Sequence, residues 1–319
     1  MKPLFFIPFL FFSALSYSQY TETINSNRPG NSQGAFAVGY NVLQFEAGAR
    51  MGQDDHELTG IETDLFGIDY QVRYGLKIEQ LEISLIGSHL TSNHMWEAGG
   101  ETEELKEVNF ESNTLGGKYL LYDPYKNRVF EKPNIISWHA NHRFKWRDLI
   151  PAVSVYAGAN LLFGENPYKY DTDKSISPRA AIITQNNWGR WVFVMNFIGD
   201  KMTEEYPTYA GIFTMTHSVN GYFSVFAEYQ AIKSDLYADD IARAGAAYLF
   251  TKDFQIDVSG LYNFKDTPRK WQVALGLSYR FDMHTEDEII MEGGKKQEDK
   301  HKKKKNSELV NPDGSMNED

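Results

Sequence analysis

"KWQVALGLSYRFD", residues 270–282, alternates without a break. In an extended chain successive side chains point to opposite faces, so Trp271, Val273, Leu275, Leu277, Tyr279 and Phe281 share one face and Gln272, Ala274, Gly276, Ser278 and Arg280 the other. The greasy face needs an apolar medium, and the stretch by itself fits either a protein core or lipid. How the chain begins, how long its other alternating stretches are and how they are joined decide between the two.

The chain opens "MKPLFFIPFLFFSALSYSQY". A lysine at position 2, an apolar run from Leu4 to Leu15 and small residues at Ser16 and Ser18 make residues 1–18 a secretory signal peptide cut after Ser18. The run is too short to remain in a bilayer, and no later stretch approaches the roughly 20 apolar residues of a transmembrane helix. The sequence contains no cysteine, which excludes a lipid anchor at the cut, a disulfide framework and any cysteine-based metal or redox site. The chain is hydrophilic on average, with a mean hydropathy of −0.47, yet 14% of it is aromatic. That combination suits an outer-membrane β-barrel, where lipid-facing and lumen-facing residues alternate and average out; a secreted β-sandwich is the rival.

Twelve stretches follow period two: residues 42–52, 61–74, 80–91, 110–122, 150–163, 176–187, 189–199, 208–218, 221–232, 240–251, 253–264 and 270–282. Soluble strands typically run about five or six residues and membrane-crossing strands about nine to eleven, so their length favours the barrel. The faces agree. Leu43, Phe45, Ala47, Ala49 and Met51 oppose Gln44, Glu46, Gly48 and Arg50; Phe66, Ile68, Tyr70 and Val72 oppose Asp69, Gln71 and Arg73; Trp191, Phe193, Met195 and Phe197 oppose Arg190 and Asn196.

Outer-membrane barrels have short periplasmic turns and longer outside loops. From a periplasmic N-terminus the even connections are tight: "GLKIE" near 75–79, "NWG" near 187–189, "SVNG" near 218–221 and "TKD" at 251–253. Residues 92–109, 164–175, 200–207 and 233–239 form longer ones. One connection breaks the rule. Residues 123–149, long, basic and aromatic, hold either an uncounted strand or an amphipathic periplasmic segment lying against the membrane surface.

The expected fold class is therefore all-β: a transmembrane antiparallel up-and-down β-barrel of about twelve strands over residues 42–282. Residues 19–41 precede it as a lumen plug or a disordered leader. Residues 283–319 follow it as a disordered, charged periplasmic tail, with ten acidic residues and seven lysines.

"NRPGNSQGAFAVGYNVLQFEAGARM", with Arg28-Pro29 and Leu43-Gln44-Phe45-Glu46-Ala47-Gly48, resembles the opening of the outer-membrane "putative MetA-pathway of phenol degradation" family. "YQVRYGLKIEQLEISLIG", with Arg73-Tyr74-Gly75-Leu76 and Leu81-Glu82-Ile83, and "LGGKYLL" at 115–121 are similar to its following blocks. The resemblance covers residues 28–122 and extends more weakly to Phe281. It implies a transporter-like barrel that moves small hydrophobic or amphipathic molecules. The charged tail and residues 123–149 depart from the family's pattern.

The inward positions collect charge: Glu46, Arg50, Asp69, Arg73, Glu82, Lys118, Arg179, Arg190, Glu228, Arg243, Asp257 and Arg280. They form either a selectivity ladder in a polar pore or pairs that brace a narrow lumen, since buried charges need partners. Tyr279 and Phe281 belong to the periplasmic interface girdle, and the final aromatic resembles the C-terminal signal read by the barrel assembly machinery. Pairing of the last strand with the first removes an exposed edge.

Enzyme chemistry is poorly represented. His89, His94, His139 and His142 cluster, and His139 with His142 has the i, i+3 spacing of a metal pair on a helix, but no carboxylate or Cys completes a site. Ser88 and His89 are adjacent and point to opposite faces of a strand. The net charge of −11 argues against nucleic acid. We expect no enzyme, cofactor or metal. The acidic outer loops "GQDDHELTG" and "MWEAGGETEELKE" are a solvated surface or a site for lipopolysaccharide-bridging divalent cations. Two functions follow: a channel in the outer membrane of a Gram-negative bacterium, or a non-enzymatic accessory subunit of a larger outer-membrane assembly. Expected partners are outer-membrane lipid, the barrel assembly machinery and, through residues 283–319, other envelope components.

Overall fold

The computed structural model describes residues 23–126, 146–162, 164–170 and 172–283. The alternating stretches become twelve strands: β1 Val42–His56, β2 Ile61–Gly75, β3 Leu81–Ala98, β4 Glu101–Tyr122, β5 Ala152–Leu161, β6 Ile176–Trp188, β7 Trp191–Asp200, β8 Thr208–Ser218, β9 Phe223–Lys233, β10 Ala238–Thr251, β11 Phe254–Asn263 and β12 Arg269–Asp282. Each pairs antiparallel with its sequence neighbours. β1 pairs β12 from Val42 opposite Asp282 to Asp55 opposite Arg269, so the sheet closes into a barrel.

The faces are inverted relative to a water-soluble protein. On β12 Trp271, Val273, Leu275, Leu277, Tyr279 and Phe281 are exposed, Leu275 at 63%, while Ser278 and Arg280 are buried. On β1 Phe45 and Met51 face out, and Gln44 and Glu46 are buried. A polar interior wrapped in an apolar exterior is stable only where the surroundings are apolar, which removes the sandwich reading. The shortest strands, β5, β7 and β11, have ten residues each. At a rise of about 3.3 Å and a tilt of about 40°, ten residues cross about 25 Å, the height of an outer-membrane apolar band.

Two differences from the sequence reading matter. Residues 92–109, expected as a loop, instead continue β3 and β4 as a hairpin, with Leu90 opposite Asn109 and Ala98 opposite Glu101. A ladder standing in water needs no apolar face. Gly99 and Gly100, at φ 65° and 89°, supply the positive φ that a two-residue hairpin turn requires. The second is a bulge: Ser88 faces Ser112 and His89 faces Phe110, so Glu111 has no opposite residue.

The barrel closes without a strand from the anomalous connection, because β4 pairs β5 directly from Thr114 opposite Asn160 to Tyr122 opposite Val153. Residues 146–149 form a short 3-10 turn held by Trp188 Nε1 donating to Asp148 O at 2.6 Å. Residues 127–145 with His139 and His142, residues 1–22 with the expected signal peptide, and residues 284–319 of the expected tail lie outside the described residues.

Candidate functional site: a plugged lumen with two chambers

Residues 24–38 lie inside the barrel, at the end where β1 begins and β12 ends. They form no strand, so their backbone groups need partners from the wall. Asn27 N and Arg28 N donate to Glu46 Oε2 at 3.1 and 3.2 Å, and Asn31 N and Ser32 N to Glu228 Oε2 at 3.0 and 3.3 Å. Gln33 N donates to Asn196 Oδ1 at 2.7 Å and Asn196 Nδ2 returns a bond to Gln33 O at 2.9 Å. Ala35 N donates to Gln185 Oε1 at 2.9 Å and Val38 N to Glu82 Oε2 at 3.0 Å. The carbonyls are met by cations and a hydroxyl: Arg73 on Asn25 O at 2.7 Å, Lys118 on Gly34 O at 2.8 Å and Phe36 O at 3.0 Å, and Ser154 on Ala35 O at 2.6 Å.

One plug side chain is seated more firmly than the rest. The Arg28 guanidinium bonds both oxygens of Asp257, at 3.1 and 3.2 Å. It lies over Gly48 and Gly276, which face each other across β1 and β12, and a Cβ on either would collide with it. Ala35 packs with Leu120, Ala152, Tyr156, Ala181 and Ile183 in the barrel's small apolar cluster, and Phe36 and Tyr125 border it.

The charged inward residues fall into separate pairs and clusters. Arg73, Glu46, Glu82 and Lys118 form one dry cluster, each 2% exposed or less. Arg73 Nε is 2.8 Å from Glu82 Oε1, Arg73 Nη1 3.1 Å from Glu46 Oε1, and Lys118 Nζ 3.5 Å from Glu82 Oε2, so two cations balance two carboxylates. Arg243 pairs with Glu228, and Asp257 with Arg28. Arg50 pairs with Glu111 and lies 3.6 Å from Asp69; Arg179 lies 3.8 Å from Asp200. Arg280 reaches Asp253 in the β10–β11 turn at 2.7 Å. Arg190 is not in the lumen. It sits exposed in the β6–β7 turn and donates to Val219 O at 3.2 Å, because β7 begins only at Trp191 and the alternation does not extend through the turn. Tyr279 and Phe281 point outward, edge to face at 4.6 Å, with Phe45 against Phe281 at 5.8 Å.

Beyond the plug the lumen opens into an inner chamber of about 390 Å³, floored by residues 27–31 and Gln33 and walled by Asp69, Ser88, Arg179 and Arg243. An outer chamber of about 460 Å³ is walled by Asp54, His56, Leu65, Leu90, His94, Glu107 and Lys270 and flanked by Pro167 and Tyr168 of the β5–β6 loop. Arg50, Glu111 and Gln272 line both, so the Arg50–Glu111 pair marks the boundary. The Tyr168 hydroxyl lies 2.9 Å from Ser92 Oγ and 3.2 Å from Glu107 O, and burial raises its pKa, keeping it a neutral donor.

Sequence reasoning confined to charged positions misses Gln44, Ser154, Gln185 and Asn196, which hold the plug or the residues around it. Their inward parity and polarity were available signals. Glu111 offered none, since a bulge places it in the lumen.

Among solved structures, an outer membrane channel from Pseudomonas putida F1 is 10% identical, with a TM-score of 0.53 over 79% of this chain and 99% of that one. At that identity the likeness shows the barrel fold alone. The NanC porin, 9% identical over 74% of this chain and 98% of its own, has a TM-score of 0.45. The translocator domain of the autotransporter NalP from Neisseria meningitidis, 10% identical over 76% and 89%, has one of 0.43. No curated protein sequence matches. The family described as "Putative MetA-pathway of phenol degradation" matches residues 26–281, from inside the plug to the last aromatic of β12, and the chain belongs to that family.

Proposed function

We propose that this protein is a channel for small hydrophobic or amphipathic molecules in the outer membrane of a Gram-negative bacterium, closed at its periplasmic end by its own N-terminal segment. The division of the lumen carries this reading: a segment with dedicated polar seats blocks one end, and two cavities of solute size lie beyond it. A barrel interior meant only to be filled has no use for such space. Phenol, named in the family's description, joins a ring to a hydroxyl. The outer chamber offers both kinds of surface, apolar at Leu65, Leu90 and Pro268 and polar at His94 and Glu107. In this reading the barrel is not an enzyme, Tyr279 and Phe281 serve as the assembly signal at the periplasmic interface, and residues 283–319 reach into the periplasm as a tether.

Expressed in a Gram-negative host lacking its major porins, the protein should speed the uptake of a small aromatic alcohol such as 2-phenylethanol. Unchanged influx with the barrel folded in the outer membrane would overturn the channel. The closed plug also favours a second reading, an accessory subunit that never conducts. Failure of uptake together with stoichiometric partners that are lost on deleting residues 283–319 would establish that one instead.

A further inference from the structure

Building on the channel reading, we propose that the outer chamber is a binding site for small organic cations, a protonated amine carried on an apolar or aromatic body. The chamber wall is mixed. Ile61, Leu65, Leu90, Pro167 and Pro268 supply apolar lining between polar residues, and the titratable lining holds three carboxylates, Asp54, Glu107 and Glu111, beside the cations Arg50 and Lys270 and the imidazoles of His56 and His94. Arg50 is shared between Glu111 and Asp69. Lys270 is shared between Asp54, at 3.6 Å, and the fully buried Asp239, at 4.0 Å. Glu107 faces His94 Nε2 at 3.3 Å.

Two polar atoms in this wall are orphaned. Asp54 Oδ1 and His56 Nδ1 are buried and have no hydrogen-bond partner among the described residues. Asp54 and His56 are two apart on β1 and both line the chamber. A desolvated carboxylate oxygen left unpaired is costly, and an ammonium N–H is the donor that relieves it. A ligand carboxylate would instead face Asp54, Glu107 and Glu111 together.

The approach reinforces this selection. The β1–β2 and β3–β4 hairpins beside the chamber expose Glu57, Glu62, Glu97, Glu101, Glu103 and Glu104. A mouth in which carboxylates outnumber exposed cations such as Lys106 and Arg269 raises the local concentration of positive solutes and speeds their entry.

The test is isothermal titration of the purified full-length mature protein with three ligands sharing one body: 2-phenylethylamine, 2-phenylethanol and 3-phenylpropanoate. The amine should bind about tenfold tighter than the alcohol, and the carboxylate more weakly than both, as expected where like charges are juxtaposed. Asp54→Asn combined with Glu107→Gln should abolish the amine's advantage over the alcohol, with the folded barrel confirmed by its heat-dependent gel mobility. The three-ligand comparison on the unmodified protein decides the matter even if that variant misfolds. Equal affinity for amine and alcohol, or preference for the carboxylate, would overturn the site. Amine binding without solute uptake would retain this site and sink the channel; uptake without charge preference would do the reverse.

Discussion

Deleting residues 23–38 is expected to turn a nearly silent barrel into an open pore, raising single-channel conductance in a planar bilayer on the order of tenfold. Twelve strands enclose a lumen wider than the side-chain-filled eight-stranded barrels and narrower than the sixteen-stranded porins, so what occupies it decides whether ions pass. Here the occupant is the chain itself, bonded to Glu46, Glu228, Asn196, Gln185 and Glu82 along its length. Its removal strips partners from Glu46, Glu228 and Asp257, which the entering water would solvate, and these carboxylates should bias the new pore toward cations. Conductance that stays at the level of the intact protein would mean that the block lies elsewhere, at Arg50 and Glu111.

The second large effect is on stability. Arg73→Met leaves Glu46 and Glu82 in a dry site with only Lys118 to balance them. Breaking a buried charge cluster by removing one partner typically costs about 3–5 kcal/mol, because the other charge stays buried. The urea midpoint for loss of the folded barrel in detergent should fall accordingly. Arg190→Met, at an exposed turn, should shift stability by less than about 0.5 kcal/mol. Pairing Arg73→Met with Glu82→Met removes one charge of each sign and should recover much of the loss. Similar midpoints for the Arg73 and Arg190 variants would show that the cluster is hydrated and does not brace the wall.

The barrel was legible in the sequence because the two constraints that build it are local. Alternation with period two and the length of a membrane crossing both act within single strands, and the twelve stretches became the twelve strands, most within a few residues of their expected ends. Residues 92–109 were misread because a hairpin in water lacks the apolar face that made the other strands visible. The site was legible only in part. Parity pointed to the charged inward positions but not to their partners, since Arg28 meets Asp257, and Asn31 meets Glu228, across about two hundred residues of chain. Parity also failed where the backbone broke register, at the Glu111 bulge and at the turn holding Arg190. Gly276 of the opening alternation, by parity an ordinary small residue of a polar face, forms with Gly48 of β1 the bed on which the plug's arginine lies.

The central claim, that the N-terminal segment occupies the lumen, can be tested by joining it to the wall. The Ser26 and Ser278 hydroxyls lie 2.7 Å apart, one on the plug and the other on the inward face of β12, and the native chain has no cysteine to compete. Ser26→Cys with Ser278→Cys places two thiols within easy reach of a disulfide. Mild oxidation of the folded barrel should link the two in high yield, with the joined peptides found by mass spectrometry after digestion, and the linked protein should be as closed to ions as the native one. Two thiols that remain free and open to alkylation in the folded barrel would contradict the account.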